Sequence, residues 1–139
     1  MRTTLKLLAL AVLLLVPPGL CFAMDSVELI SKERAKELGL EVRSKSAGPD
    51  AVWVELEFET KGELKRITHV GLEMWAGKKL LLSSILRDSR PGPGRVAVSF
   101  TADRSNLDKF TLRVLSDQGL GSVGYVLRVK DLVDLEKVR

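Results

Sequence analysis

AVWVELEFET, residues 51–60, alternates without a break. Val52, Val54, Leu56 and Phe58 fall on one side of the chain, and Trp53, Glu55, Glu57 and Glu59 on the other. A side-chain period of two marks an extended strand with one buried face. The same period recurs outward from this stretch. Between Leu64 and Trp75, the residues Val70, Leu72 and Met74 share a face. Val96, Val98 and Phe100 share another, as do Phe110, Leu112 and Val114, and then Val123, Tyr125, Leu127 and Val129. Leu80-Leu81-Leu82 is apolar on both faces and reads as a central strand. Lys61-Gly62, Ala76-Gly77-Lys78 and Pro91-Gly92-Pro93-Gly94 punctuate these runs as turns or loops. Between residues 51 and 130 no useful helical period appears.

Towards the N-terminus the pattern changes. Ser31 fits an N-cap, Lys32 to Leu38 (KERAKEL) are strong helix formers, and Gly39 stands where a helix-ending glycine belongs. Leu40-Glu41-Val42 begins a first strand, and residues 44–50 (SKSAGPD) read as a loop. The sequence thus predicts an all-β fold with one short N-terminal helix: an antiparallel β-sandwich of immunoglobulin-like build with about seven strands. The Cys…Trp…Cys arrangement of antibody domains is missing, so the expectation covers the sandwich architecture alone.

The first residues have a different character. Arg2 and Lys6 precede the apolar run Leu7 to Val16, Pro17-Pro18-Gly19 breaks it, and Cys21-Phe22-Ala23 offers small residues for cleavage. This predicts a secretory signal peptide over 1–23 and a secreted or periplasmic destination. The apolar run falls short of the roughly 20 residues that span a bilayer, so no stable membrane span is expected after cleavage. A start at Met24, leaving a cytoplasmic protein, is the alternative. The remainder divides into an N-terminal segment, 24–50, and a sandwich domain, 51–139. Removal of Arg2 and Lys6 takes the 22 basic residues to 20 against 18 acidic ones, a net charge of about +2. No basic patch then argues for nucleic acid. Cys21, the only cysteine, leaves with the leader, which excludes disulfides, thiolate catalysis and cysteine-ligated metal.

Gly119-Leu120-Gly121-Ser122-Val123-Gly124 matches G-x-G-x-x-G. A dinucleotide site needs those glycines to run from a strand into a helix N-terminus. Here Tyr125-Val126-Leu127-Arg128-Val129 follows and reads as a strand. The motif is expected to be a hairpin loop, with Gly124 at a bulge or a close backbone approach. No cofactor is expected.

Several residues invite chemistry. Glu55, Glu57 and Glu59 stand about 7 Å apart along one strand face, within the range of paired glycosidase carboxylates. The plainer expectation is a solvated, charged outer face. His69, the only histidine, is a poor metal site alone and reads as an outward strand residue. Asp103, Ser105, Asn106 and Asp108 lack the pattern of a dedicated calcium loop. Ser105 to Asp108 fits a capping box on one helical turn, with Leu107 plugging the core. No catalytic or metal-binding residue is expected. Trp53 and Trp75 leave the inner faces of their strands, and an exposed aromatic pair is the candidate ligand site, for a sugar ring or a partner protein. The covered alternative is burial beneath the helix or beneath residues 80–86.

Ile30 to Arg43 (ISKERAKELGLEVR) and Gly124 to Val133 (GYVLRVKDLV) resemble a group of small, uncharacterised secreted bacterial proteins. The resemblance implies a β-sandwich and assigns no activity and no functional residue. The expected function is that of an exported, non-enzymatic binding or interaction module with a protein or carbohydrate partner. A small carbohydrate-active hydrolase using the strand glutamates is the alternative.

Overall fold

The computed structural model describes residues 26–118 and 121–138. The chain is mostly β, and its strands form two sheets. In the larger sheet β1 (Ser26–Leu29), β8 (Gly121–Arg128), β7 (Phe110–Gln118), β4 (His69–Ala76) and β5 (Lys79–Leu86) lie side by side in that order. In the smaller sheet the order is β2 (Glu41–Ser46), β3 (Ala51–Glu59) and β6 (Arg95–Asp103). Eight strands are therefore present among the described residues, against about seven expected. All pairings are antiparallel except β1 with β8.

The period of two places the core. Val52, Val54, Leu56 and Phe58 of β3 are all buried, and they join Val98, Val70, Leu72, Leu112, Val114 and Leu127 in one cluster fed by both sheets. Each such side chain contributes roughly 1.5–3 kcal/mol on burial. Register stacks Leu72 beside Leu112 and Leu112 beside Leu127, a row across three strands. Phe100 and Phe110 close one flank with rings 6.2 Å apart. Val123 departs from its expected inward role: it lies near the hairpin end of β8 and is exposed.

Helix α1 (Lys32–Leu38) forms where expected. Ser31 Oγ accepts from the Arg34 N–H at 3.2 Å, and Gly39 ends the helix at φ 88°. A short helix, α2 (Val129–Leu132), follows β8, so Val129 begins this helix and is buried there. Two further expectations shift. The 3-10 turn Gly62–Leu64 occupies the start of what read as a strand from Leu64, and β4 begins at His69. Leu64 is buried all the same. The turn Arg104–Lys109 buries Leu107 as expected, but it starts at Arg104, directly after β6. Ser105 is then inside the turn, no side chain caps it, and the capping box does not form.

The G-x-G-x-x-G stretch joins two antiparallel strands, with Gln118 opposite Gly121. Gly121 to Gly124 lie within strand β8 and do not open a helix, unlike the glycines of a dinucleotide fingerprint. Gly119 and Leu120 lie outside the described residues. Gly124 is a close approach of two backbones: a Cβ there would meet Leu115 Cα at 3.0 Å and overlap the Val114 carbonyl oxygen.

The reading of residues 80–82 as a central strand is overturned. β5 is the edge of the larger sheet, paired with β4 alone. The hairpin at Gly77-Lys78 brings the chain back along β4, and the chain then crosses to the smaller sheet, so among the described residues no strand comes to β5's far side. β5 is exposed from Lys79 to Ile85, and only Leu86 at its end packs against the core. The β6 edge is treated differently. There Ser89 N–H donates to Ala97 O at 2.7 Å, and Ala97 N–H donates to Asp88 Oδ1 at 3.2 Å. Among the described residues no helix is long and apolar enough to cross a membrane.

Candidate functional site

The two outer faces carry the chemistry, and they differ. On the smaller sheet, register sets Arg43 opposite Glu55, Glu41 opposite Glu57, and Arg95 opposite Glu59. Arg90 reaches the same face from the loop between β5 and β6. Glu55 contacts Arg43 at 3.7 Å and Arg90 at 3.5 Å. Glu57 contacts Arg90 at 3.5 Å, Arg43 at 3.9 Å, and Arg95 directly. The two carboxylates are only 4 and 5% exposed, although they point away from the core. The expectation of a solvated outer face therefore fails at Glu55 and Glu57. The guanidinium groups of Arg43, Arg90 and Arg95 lie against the two carboxylates and cover them, while the arginine side chains themselves stay more than half exposed. Glu59 remains exposed beside Lys61.

That roof also blocks approach. A glycosidase carboxylate must reach a substrate oxygen, and here three guanidinium groups occupy the space over Glu55 and Glu57. The network couples the β5–β6 loop to the sheet. A double-mutant cycle of Arg90→Ala with Glu57→Gln should give a coupling of about 1 kcal/mol in urea unfolding. Additive effects would show that the loop stands off the sheet.

Trp53 shares this face. It is half-buried, and its cross-strand partner Lys45 holds Nζ 4.6 Å from the ring centre. Trp75 is on the other outer face, that of the larger sheet. The structure does not bring the two tryptophans together, so they cannot form one aromatic platform. Trp75 is half-buried too, and its indole N–H donates to Glu73 Oε2 at 3.0 Å. Glu73 Oε1 in turn accepts from Arg113 at 2.9 Å.

Trp75 stands opposite Leu80, the start of the most open apolar surface in the described chain. Leu80 is 43% exposed, Leu81 49%, Leu82 46% and Ile85 67%. The register shifts between Met74 and Trp75, which leaves Leu81 without an opposite number on β4. Leu80 lies on the Trp75 side, and Ile85, opposite Gly71, shares it; Leu82, opposite Met74, is on the inner side. Lys78 stands in the turn and Lys79 begins the strand. Sequence reasoning missed this site because an unbroken apolar run looks the same whether it is covered on both faces or on neither. The adjacent Ser83-Ser84 pair was the available signal.

A third cluster ties α1 to β8. Tyr125 Oη donates to Glu63 Oε2 at 3.0 Å, and Arg34 donates to the same oxygen at 3.0 Å. Burial first, and then the hydrogen bond to Glu63, raises the Tyr125 phenol above the ordinary value of about 10. The fold therefore favours the neutral phenol. Its contribution is complete below the ordinary value and is lost as pH rises through the raised one. Tyr125 is the only tyrosine, so the phenolate absorbance reports it alone. The midpoint should lie above that of the unfolded chain and fall in Glu63→Gln; coincident curves would refute the assignment.

His69 Nδ1 lies 3.0 Å from Thr68 Oγ1 at the start of β4. Among the described residues no three His, Cys, Asp or Glu side chains gather as metal ligands. Comparison with protein-family models, curated proteins and solved structures finds no match to the chain.

Proposed function

We propose that this protein is an exported, non-enzymatic binding or interaction module, and that the β4–β5 hairpin is its recognition surface. The carrying observation is β5 itself: an eight-residue edge strand, open along one side and apolar on both faces. Proteins usually blunt such an edge with charge, proline or a covering loop. Among the described residues the chain covers the β6 edge and leaves β5 bare, which supports a strand kept for a partner. The pairing of β3 with β6, and of β4 with β7 and β7 with β8, suits an immunoglobulin-like sandwich, a fold that lends its sheet edges to recognition. The arginine roof over Glu55 and Glu57 weighs against the hydrolase alternative. A carbohydrate ligand, stacked on Trp75 beside Glu73, is the second binding reading, and it leaves the strand edge unused.

Amide hydrogen exchange tests the surface. Outward-facing β5 amides should exchange fast in dilute purified protein. They should slow at least about tenfold in concentrated extract of the producing cells, where a partner is present. Equal exchange in both conditions overturns the reading.

A further inference from the structure

We infer that the occupant of the open β5 edge is a second copy of this chain, paired antiparallel about a two-fold axis at Ser83; this rests on the recognition surface just proposed and names its partner.

Three observations favour a copy over other occupants. The first is the backbone. Along its free side, β5 presents N–H and C=O groups at strand spacing. A neighbouring strand answers every one of them. Hydrocarbon answers none, and a sugar answers few. The second is two-sided exposure. Leu80 and Ile85 stand on the outer face and Leu82 on the inner one, all substantially open. A ligand on one face covers half of this set, whereas an added strand covers both halves.

The third is the sequence of the strand, which is close to its own reverse about Ser83. Two-fold pairing there sets Leu82 against Ser84, Leu81 against Ile85 and Leu80 against Leu86 of the other copy. At each end it sets Lys78 against Asp88, opposite charges, and Lys79 against Arg87, like charges, so the match rests on the apolar pairs between them. The bulge at Leu81 puts Leu80 on Trp75's face while Leu86, opposite Val70, is on the inner face. The tight part of the pairing is therefore Leu81 to Ile85. An isologous contact of this kind needs one surface to match itself, and this one does.

The joined sheet would have ten strands, twice the five of the larger sheet. The contact is small. Four half-open apolar side chains and one strand fall below the roughly 800 Å² per partner of standard interfaces. The dimer is accordingly weak, with a dissociation constant on the order of 10 µM.

The test uses the full chain carrying Cys21→Ser, so that no other thiol is present. Sedimentation velocity over about 1–200 µM should show a monomer passing to a dimer. Leu81→Lys with Ile85→Lys should stay monomeric throughout, with an unchanged circular dichroism spectrum. Leu81→Glu with Ile85→Lys removes the same apolar surface but sets opposite charges across the axis, and should recover the dimer at low salt. Ser83→Cys should cross-link to itself on mild oxidation at least about tenfold better than Ile85→Cys, because only the residue at the axis faces its own copy within disulfide reach. A parent chain that stays monomeric across the range, or equal cross-linking at both positions, overturns the inference. If that monomer shows a blue shift of Trp75 emission on phosphatidylglycerol vesicles, in a Trp53→Phe background, the edge remains the recognition surface and only the copy is wrong. A monomer with no such shift and no slowing of β5 exchange in extract overturns both.

Discussion

Gly124→Ala lowers folding stability by about 3 kcal/mol or more, an effect expected from a residue with no side chain at all. Gly124 sits on β8 opposite Leu115 of β7. A Cβ at this point meets Leu115 Cα and the Val114 carbonyl carbon at 3.0 Å each, and overlaps the Val114 oxygen. Every one of these atoms is backbone. No rotamer change relieves the clash, so the two strands must part and their ladder must weaken at the centre of the larger sheet. In a domain of this size the melting temperature should fall by roughly 10–15 °C. Gly71 supplies the control. A Cβ there meets Ser84 O at 3.7 Å and Arg113 Cβ at 3.9 Å, which is ordinary contact. Gly71→Ala should change stability by less than about 1 kcal/mol. Urea unfolding of the two variants side by side decides the matter: similar midpoints would mean that β7 and β8 are further apart than described.

The second large effect belongs to Leu112→Ala, at about 3–5 kcal/mol. Leu112 is fully buried and lies between Leu72 and Leu127 in the row that crosses β4, β7 and β8. Truncation loses its transfer energy and leaves a cavity walled by two strands held in register, which cannot collapse to fill it. Leu81→Ala, the same chemical change on the open edge, should cost less than about 0.5 kcal/mol in a monomeric sample. The contrast separates a leucine that builds the fold from one that stands outside it. A loss below about 1.5 kcal/mol for Leu112→Ala would place that side chain outside the core.

What could be read from residues alone was set by the range of the interaction involved. The inner face of β3 was legible because alternation is a local property of consecutive side chains. Helix α1 was legible for the same reason: Ser31 and Gly39 act on backbone groups three or four residues away. Gly124 was legible as a close approach, since a glycine inside a strand has few other uses. The burial of Glu55 and Glu57 was not, because Arg43, Arg90 and Arg95 come from two other strands and a loop. β1 was missed because four residues, with only Val27 and Leu29 apolar, give too short a run to establish a period. β2 was cut short at Val42 because its continuation, Arg43-Ser44-Lys45-Ser46, is polar on both faces and gains its order from β3. β5 was placed at the wrong position in its sheet, since composition reports what a strand can bury and says nothing about whether a neighbour arrives. The candidate site falls in this last group. Trp75 was identified, but the strand that makes its surroundings a surface was taken for part of the interior.

The parallel pairing of β1 with β8 bears on how the chain acquires this structure. Ser26 finds its neighbour in Val123, and Leu29 finds its neighbour in Val126. The earliest described strand can settle only once the latest has been placed, since β8 is its sole partner. Loop closure over such a span is entropically demanding and raises the mean separation of native contacts. Stopped-flow refolding should therefore run in milliseconds to seconds, as in other proteins dominated by distant strand pairing. Until then the N-terminal strand stays available to proteases, and clipping ahead of Lys32 should be the earliest sign that the last hairpin has not closed.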